Sequence, residues 1–274
     1  MKKIMLSLSL LCFASMGFSQ DFKLPAPSPT TTIKQDFSTS FIELTYSRPS
    51  VKERKIFGQL IPYDKMWRTG ANAATAITFN EPIKWGNDMI SPGSYSIVTI
   101  PGEDTWVVML YKGTDSWGIN GLSATDIVAK TEARVKKLDQ LQETFEISFQ
   151  NITNSTMDIV LQWEYTQVKV RVEADNFEKI LGYLEHELKK DNAPYLEAAR
   201  FYLEHDYKLD EALGFTEKAL KARPDAFWIQ WTKAQILSKL GKHKEAKAAA
   251  LIAVEKTRGT SYENEYKHHY ESLK

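Results

Sequence analysis

Histidine and cysteine are scarce in this sequence, and their distribution excludes several kinds of chemistry. The 274 residues include a single cysteine, Cys12, and all five histidines lie after residue 185. Residues 20–185 therefore contain neither imidazole nor thiol, which excludes a Ser-His-Asp or Cys-His nucleophile and an imidazole or thiolate zinc site there. His268 and His269 are adjacent, point about 100° apart on a helix and make a poor ligand pair. No nucleotide-binding glycine motif occurs. We expect no metal and no cofactor.

The sequence also lacks a charge excess and a long apolar run in its main part. Lys+Arg and Asp+Glu are 35 each, and removing Lys2 and Lys3 from the basic set leaves 33 against 35. This balance argues against binding nucleic acid through bulk electrostatics. After the first twenty residues no segment approaches the 18 apolar residues of a transmembrane helix, so we expect a chain that does not span a membrane.

Residues 1–19 have the pattern of a secretory signal peptide. Lys2 and Lys3 precede a mostly apolar stretch, and Gly17 and Ser19 place small residues at positions −3 and −1 of a cleavage site after Ser19. Leu11 before Cys12 disfavours lipidation, so the mature chain would have no cysteine and no disulfide. We expect an exported protein, either periplasmic or extracellular.

The first part of the mature chain is rich in strand signals. Residues 20–40 form a proline-rich linker and a first strand, and residues 41–172 form a β-rich domain of alternating apolar segments separated by turn residues. This pattern predicts an antiparallel, β-sandwich-like fold. Residues 157–172 are long enough to form either two strands or one bent strand.

The pattern changes to helical spacing over residues 176–274. Residues 210–220 and 244–254 resemble each other at an offset of 34, which is typical of a tetratricopeptide-like (TPR-like) repeat. Helices at 176–190 and 261–272 would cap two repeats, and the first repeat has one extra residue near 206–209. Such arrays offer docking surfaces to protein partners. Small residues at the expected helix contacts are Ala199, Ala212, Ala219, Ala234, Ala246 and Ala253.

A basic segment is the strongest candidate for a ligand surface. Residues 48–68 contain six basic side chains and two acidic ones. Arginine forks, hydroxyls and an indole face suit a carboxylate, phosphate or sugar, and Trp67 and Trp117 are the first candidates for a sugar-stacking ring. In the structural alternatives, the arginines pair with internal acids, or the segment lies between the two domains. The candidate ligand-binding residues are Arg48, Lys52, Arg54, Trp67, Arg68, Thr69 and Asn72.

Several short motifs resemble those of the DUF2911 family, a group of exported Bacteroidetes proteins of unknown function. The motifs are Tyr-Ser-Arg-Pro at 46–49, Lys-Ile-Phe-Gly at 55–58, Trp-Arg-Thr-Gly-Ala-Asn at 67–72, Pro-Gly-Ser-Tyr at 92–95 and Ile-Pro-Gly at 100–102. The resemblance spans about residues 28–172. It implies an extracytoplasmic location and, in many members, a helical repeat tail, but it implies no activity.

Two classes of function follow from these features. The first is a non-enzymatic binding or scaffold protein, whose β-rich domain binds a small anionic or glycan ligand and whose helices bind a protein. The alternative is a hydrolase of glycans or envelope material, which would need two carboxylates about 5–9.5 Å apart in one cleft. Candidates for such a pair are Glu53, Asp64, Asp88, Asp115 and Asp126.

The signal peptide generates a direct prediction. Protein purified from its native cells should begin at Gln20, because the residues at −3 and −1 direct cleavage after Ser19. Intact-mass spectrometry checks this, with Asp21 as the neighbouring alternative start. A chain that retains Met1, or one acylated at Cys12, would contradict it.

Overall fold

Strands precede helices along this chain, and the two kinds of element form separate units. The computed structural model describes residues 24–114 and 118–273. The first unit ends at Asp175 and the second begins at Asn176. The predicted signal peptide with Cys12, as well as Asp115 and Trp117, lies outside the described residues. The expected α+β class is confirmed, since two antiparallel sheets precede six helices in the described part of the chain.

The first unit contains ten strands in two antiparallel sheets. One sheet has the order β1-β2-β3-β6-β7-β8 and the other has the order β5-β4-β10-β9. The strands are β1 (Thr30–Phe37), β2 (Ser40–Ser47), β3 (Thr75–Phe79), β4 (Ile83–Trp85), β5 (Asp88–Ile90), β6 (Gly93–Ile100), β7 (Thr105–Lys112), β8 (Ile127–Arg134), β9 (Lys136–Gln150) and β10 (Thr156–Ala174).

Alternating side chains explain why both sheets share one core. In β2, Ile42, Leu44 and Tyr46 are buried and the residues between them are partly exposed. They pack with buried residues of the facing sheet, such as Phe145 and Ile159. Because side chains alternate across a strand, each sheet directs one apolar face inward.

The segment at 157–172 is part of a single strand with an irregularity. β10 runs unbroken from Thr156 to Ala174, and its register with β9 shifts on both sides of Glu164. Glu164 has a positive φ of 55°, as expected where a bulge breaks the regular ladder. β4 and β5 were not anticipated, because at three residues each they are too short to show a clear period.

The second unit consists of consecutive helices that pack on their neighbours. The pairs α2–α3, α3–α4, α4–α5 and α5–α6 are in contact. The helices are α1 (Phe177–Glu187), α2 (Tyr195–Glu204), α3 (Leu209–Ala222), α4 (Phe227–Lys239), α5 (His243–Thr257) and α6 (Glu263–Ser272).

Small residues lie at the contacts between these helices. All six alanines expected at helix contacts are buried, five of them completely and Ala219 at 9% exposure. The turn between α2 and α3 has four residues, whereas the turn between α4 and α5 has three. The longer turn needs two residues at positive φ, Asp206 and Lys208, while the shorter turn uses Gly241.

A buried carboxylate links the start of β10 to the later part of the same strand and to the turn before it. The Asp158 side chain is 4% exposed and receives hydrogen bonds from Asn151 (2.8 Å), Lys169 (3.3 Å) and Arg171 (3.1 Å). Burial alone would raise the pKa of the Asp158 carboxyl. The hydrogen bonds from Asn151 and Lys169 and the charges of Lys169 and Arg171 outweigh burial and lower this pKa below its ordinary value.

We predict that Asp158→Asn lowers the free energy of unfolding at pH 7 by about 1–2 kcal/mol, since charge-assisted hydrogen bonds are lost but both basic partners are largely exposed. A group with a lowered folded-state pKa stabilises above its unfolded pKa of about 4 and loses this effect as pH falls further. Urea unfolding at pH 7 and pH 3 should therefore show a smaller difference at pH 3. Asp139→Asn, an exposed change on β9, is the control. Equal losses in both variants would contradict the prediction.

Candidate functional site

The Tyr-Ser-Arg-Pro motif at 46–49 joins the two sheets. The Tyr46 hydroxyl donates to the Ile147 carbonyl (3.1 Å) and accepts from its amide (2.9 Å), and burial raises the pKa of this phenol. Arg48 Nε donates to the Phe145 carbonyl at 3.1 Å, while its contact with Glu146 is long at 3.9 Å. The Phe145 amide donates to the Pro49 carbonyl. Arg48 therefore has a structural role where the segment after β2 pairs with β9 of the other sheet.

Arg54 closes the next turn of the chain. Its guanidinium donates to the carbonyls of Val51 (2.9 Å) and Ser50 (2.6 Å). Lys52 and Glu53, which lie between Val51 and Arg54, have positive φ. The Lys52 amide donates to Glu143 Oε1 at 3.0 Å. The Lys52 side chain is exposed. These contacts hold the connection to β9 and do not gather the basic side chains into one site.

Trp67 anchors the following segment in the core. Its backbone pairs with Thr99 of β6 through two hydrogen bonds, of 2.7 and 2.9 Å. Its ring is 5% exposed and lies within 6 Å, centroid to centroid, of the rings of Phe57, Trp106, Phe145 and Trp163. The expected indole platform is not available at Trp67, because its faces are covered by other aromatic rings.

The rest of the Trp-Arg-Thr-Gly-Ala-Asn motif forms a tight turn around this anchor. The Trp67 indole N–H donates to the Gly70 carbonyl at 3.0 Å. Thr69 is fully buried, and its hydroxyl lies within hydrogen-bond distance of the Trp67 carbonyl and the Thr99 hydroxyl. The Thr69 carbonyl accepts a hydrogen bond from the Thr75 hydroxyl. Asn72, at positive φ, donates to the Ser28 carbonyl and the Ser47 hydroxyl. Thr69 and Asn72 therefore stabilise the turn.

Arg68 is the long polar side chain that this turn directs outward. Trp67 lies outside the named strands and is buried in the core, whereas its neighbours Met66 and Arg68 are exposed and half-buried, respectively. Arg68 Nη1 donates to the Asn72 carbonyl at 3.2 Å. Within residues 24–114 and 118–273, this guanidinium makes no ion pair, and its remaining N–H groups have no protein acceptor. The turn thus holds a guanidinium in place, and most of its donors have no acceptor among the described residues.

An open cleft of about 410 Å³ lies in front of Arg68. We call it the Arg68 cleft. Its three walls are residues 60–62, residues 65–68 and residues 118–120. Of the described residues that line it, Lys65 and Arg68 are charged, Asn120 adds an amide, and none is Asp or Glu. The local charge is therefore positive, which favours an anion.

The wall at 60–62 is held by hydrogen bonds and by an anchored ring. The Gly58 amide donates to the Ile61 carbonyl, and the Ile61 amide donates to the Ile56 carbonyl, both at 2.9 Å. The Phe57 ring lies in the aromatic core. The bulge at Glu164 directs its carboxylate to the amides of Ile56 (3.3 Å) and Phe57 (3.5 Å). The bulge in β10 therefore positions a wall of the cleft.

The structure brings together few of the residues predicted to form a site. Arg68 lines the cleft with its side chain available, whereas Arg48, Arg54, Thr69 and Asn72 bond to the protein itself. Sequence reasoning did not single out Lys65 or Asn120. The alternation around Trp67 could have indicated Arg68 and Met66 as outward-facing, but Asn120 comes from a distant loop.

The carboxylates proposed for a hydrolase are not found in this cleft. Glu53, Asp64, Asp88 and Asp126 are absent from its walls, and Asp115 lies outside the described residues. Asp88 Oδ2 instead accepts from the Lys130 amide at 3.1 Å. In the part of the chain that the structure describes, no cluster of three His, Cys, Asp or Glu residues could hold a metal ion. No helix there is long and apolar enough to cross a bilayer.

Fold and site together define an α+β protein whose double-sheet unit presents a fixed arginine beside a basic cleft. A comparison with protein-family profiles matches residues 28–172 to the family described as "Protein of unknown function (DUF2911)". The match covers more than half of the chain, and the protein belongs to this family. Searches of curated proteins and of solved structures found no match.

The turn makes a prediction at Gly70. Its φ is 147°, and an added Cβ would lie 3.0 Å from the Ser47 carbonyl oxygen. Gly70→Ala should lower the free energy of unfolding by about 1–3 kcal/mol, because backbone strain and a contact with backbone combine. Gly113→Ala shares a positive φ but has nothing within 4 Å of the added Cβ. In chemical denaturation, a loss at Gly70 no larger than that at Gly113 would show that the close approach is unimportant.

Proposed function

We propose that this protein is an exported, non-enzymatic binding protein that captures a small anionic ligand in the Arg68 cleft. The observation that carries the proposal is the guanidinium of Arg68, which donates to the Asn72 carbonyl and whose other donors have no acceptor in the described part of the chain. A held charge has little rotamer freedom left to lose on binding, so more of its interaction energy contributes to affinity. Lys65 on the same wall adds a second positive charge.

An anion fits the cleft better than a neutral glycan does. Sugar-binding sites commonly use an exposed aromatic face, and among the described residues that line this cleft the ring is that of Trp67, which is buried. The polar side chains that line it are two cations and one amide, a set suited to carboxylate or phosphate oxygens. A hydrolase would need a pair of carboxylates here, and the described residues of these walls do not include one.

We further propose that the helical unit is TPR-like and docks a protein partner. The buried alanines and the succession of packed helices support this proposal, because close helix approach depends on short side chains. Export by the predicted leader is part of the same proposal. Purification of tagged full-length protein from its native cell tests the partner: a stoichiometric protein retained at moderate salt is expected, and its absence would count against docking.

The Arg68 cleft yields a charge-specific prediction. Arg68→Gln should weaken the binding of inorganic phosphate and of small carboxylates by about tenfold, which is the loss of roughly one charge-assisted hydrogen bond. Isothermal titration calorimetry with the full chain measures this. Lys65→Gln should weaken binding less, since an ammonium on a flexible stem is a point charge without a fork.

Lys136→Gln is the matched control for this experiment. It removes the same single charge from an exposed position on β9 that does not line the cleft. Its affinity should stay within twofold of the unmodified chain. Equal losses at Lys136 and Arg68 would indicate a general charge effect, and an absence of measurable anion binding by the unmodified chain would refute the proposed function.

A further inference from the structure

Apolar side chains share the Arg68 cleft with its two cations. Leu60, Met66 and Ile119 line the cleft and are 45%, 36% and 39% exposed. Single exposed apolar residues are common on protein surfaces. Here three of them come from three different walls and border one concavity, so a ligand in the cleft would cover apolar surface as well as charge.

The cleft is larger than a small inorganic anion needs. Its volume of about 410 Å³ lies within the range of roughly 300–1,000 Å³ that is usual for organic ligands. A water molecule accounts for roughly 30 Å³ of liquid, so an ion the size of a few waters would leave most of the space hydrated. The apolar walls would then remain exposed to water, and their burial would contribute nothing.

The guanidinium geometry selects among organic anions. One Nη of Arg68 is committed to the Asn72 carbonyl, and the remaining donors form part of a planar fork. A carboxylate presents two oxygens in a plane and suits such a fork, with Lys65 and Asn120 beside it. A phosphate monoester also suits such a fork but carries up to two charges on a tetrahedral group, so it is the competing ligand that the experiment includes.

We infer that the ligand of the Arg68 cleft is a monocarboxylate with an aliphatic body, whose carboxylate binds Arg68 and whose hydrocarbon covers Leu60, Met66 and Ile119. This inference rests on the proposed anion-binding function and specifies its ligand class. The turn at 67–72 supplies the charge, and the flanking loops supply the apolar contacts. Length of the hydrocarbon, up to the limit of the walls, determines affinity.

Ligand-observed NMR titration of the full chain with acetate, butyrate, hexanoate and octanoate tests the inference. Each methylene that reaches the walls should tighten binding roughly fourfold, because burial of one methylene is worth about 0.8 kcal/mol. Hexanol should bind at least tenfold more weakly than hexanoate. Arg68→Gln should weaken every carboxylate by a similar factor, whereas Leu60→Ser should flatten the dependence on chain length and leave acetate binding unchanged.

Leu141→Ser, at another exposed leucine on β9 outside the cleft, is the control and should leave the chain-length dependence intact. Circular dichroism establishes that each variant is folded. If phosphate or acetate binds as tightly as hexanoate, the inferred aliphatic monocarboxylate is wrong, but the proposed anion site is still supported. Tighter binding of hexyl phosphate than of hexanoate overturns the choice of carboxylate. If no anion binds, or if Arg68→Gln has no effect, the proposed function falls with it.

Discussion

Burial of the Trp67 ring is the constraint on which the candidate site depends. The ring packs among four other aromatic side chains drawn from both sheets and from the loop at Phe57. Burying a large aromatic side chain is among the strongest contributions to a core. Because the backbone of Trp67 also pairs with Thr99, the position of the next residue follows. Arg68 is half-buried and lines the cleft.

The same logic explains why the motif at 67–72 has its composition. Trp67 supplies the anchor, and the Thr69 hydroxyl lies within hydrogen-bond distance of the Trp67 carbonyl and the Thr99 hydroxyl. Gly70 allows the backbone to approach Ser47, and the Asn72 amide donates to Ser28 and Ser47. These four residues stabilise the turn, whereas most N–H groups of Arg68 have no acceptor among the residues that the structure describes. A residue held this firmly, with its hydrogen-bonding capacity unused, is a candidate for recognition more than for stability.

Structural and candidate functional arginines differ here in what their guanidinium groups contact. Arg48 and Arg54 donate to backbone carbonyls within the sheet connection, and buried or edge carbonyls need such donors. The acids that were expected to hold them make little contact, with Glu146 at 3.9 Å from Arg48. Positive charge in a sequence segment therefore indicated neither a single site nor a network of ion pairs.

The sequence by itself determined the class of the fold, because alternation in β2 and β10 and helical spacing after residue 176 are local properties of neighbouring residues. It also identified the family, through short motifs whose residues lie within a few positions of each other. Only the tertiary structure decided which basic side chain is available, since the acceptor of Arg48 and the ring contacts of Trp67 come from residues up to about a hundred positions away. The cleft itself required Leu60, Arg68 and Asn120 to meet, and no local pattern encodes a meeting of three loops.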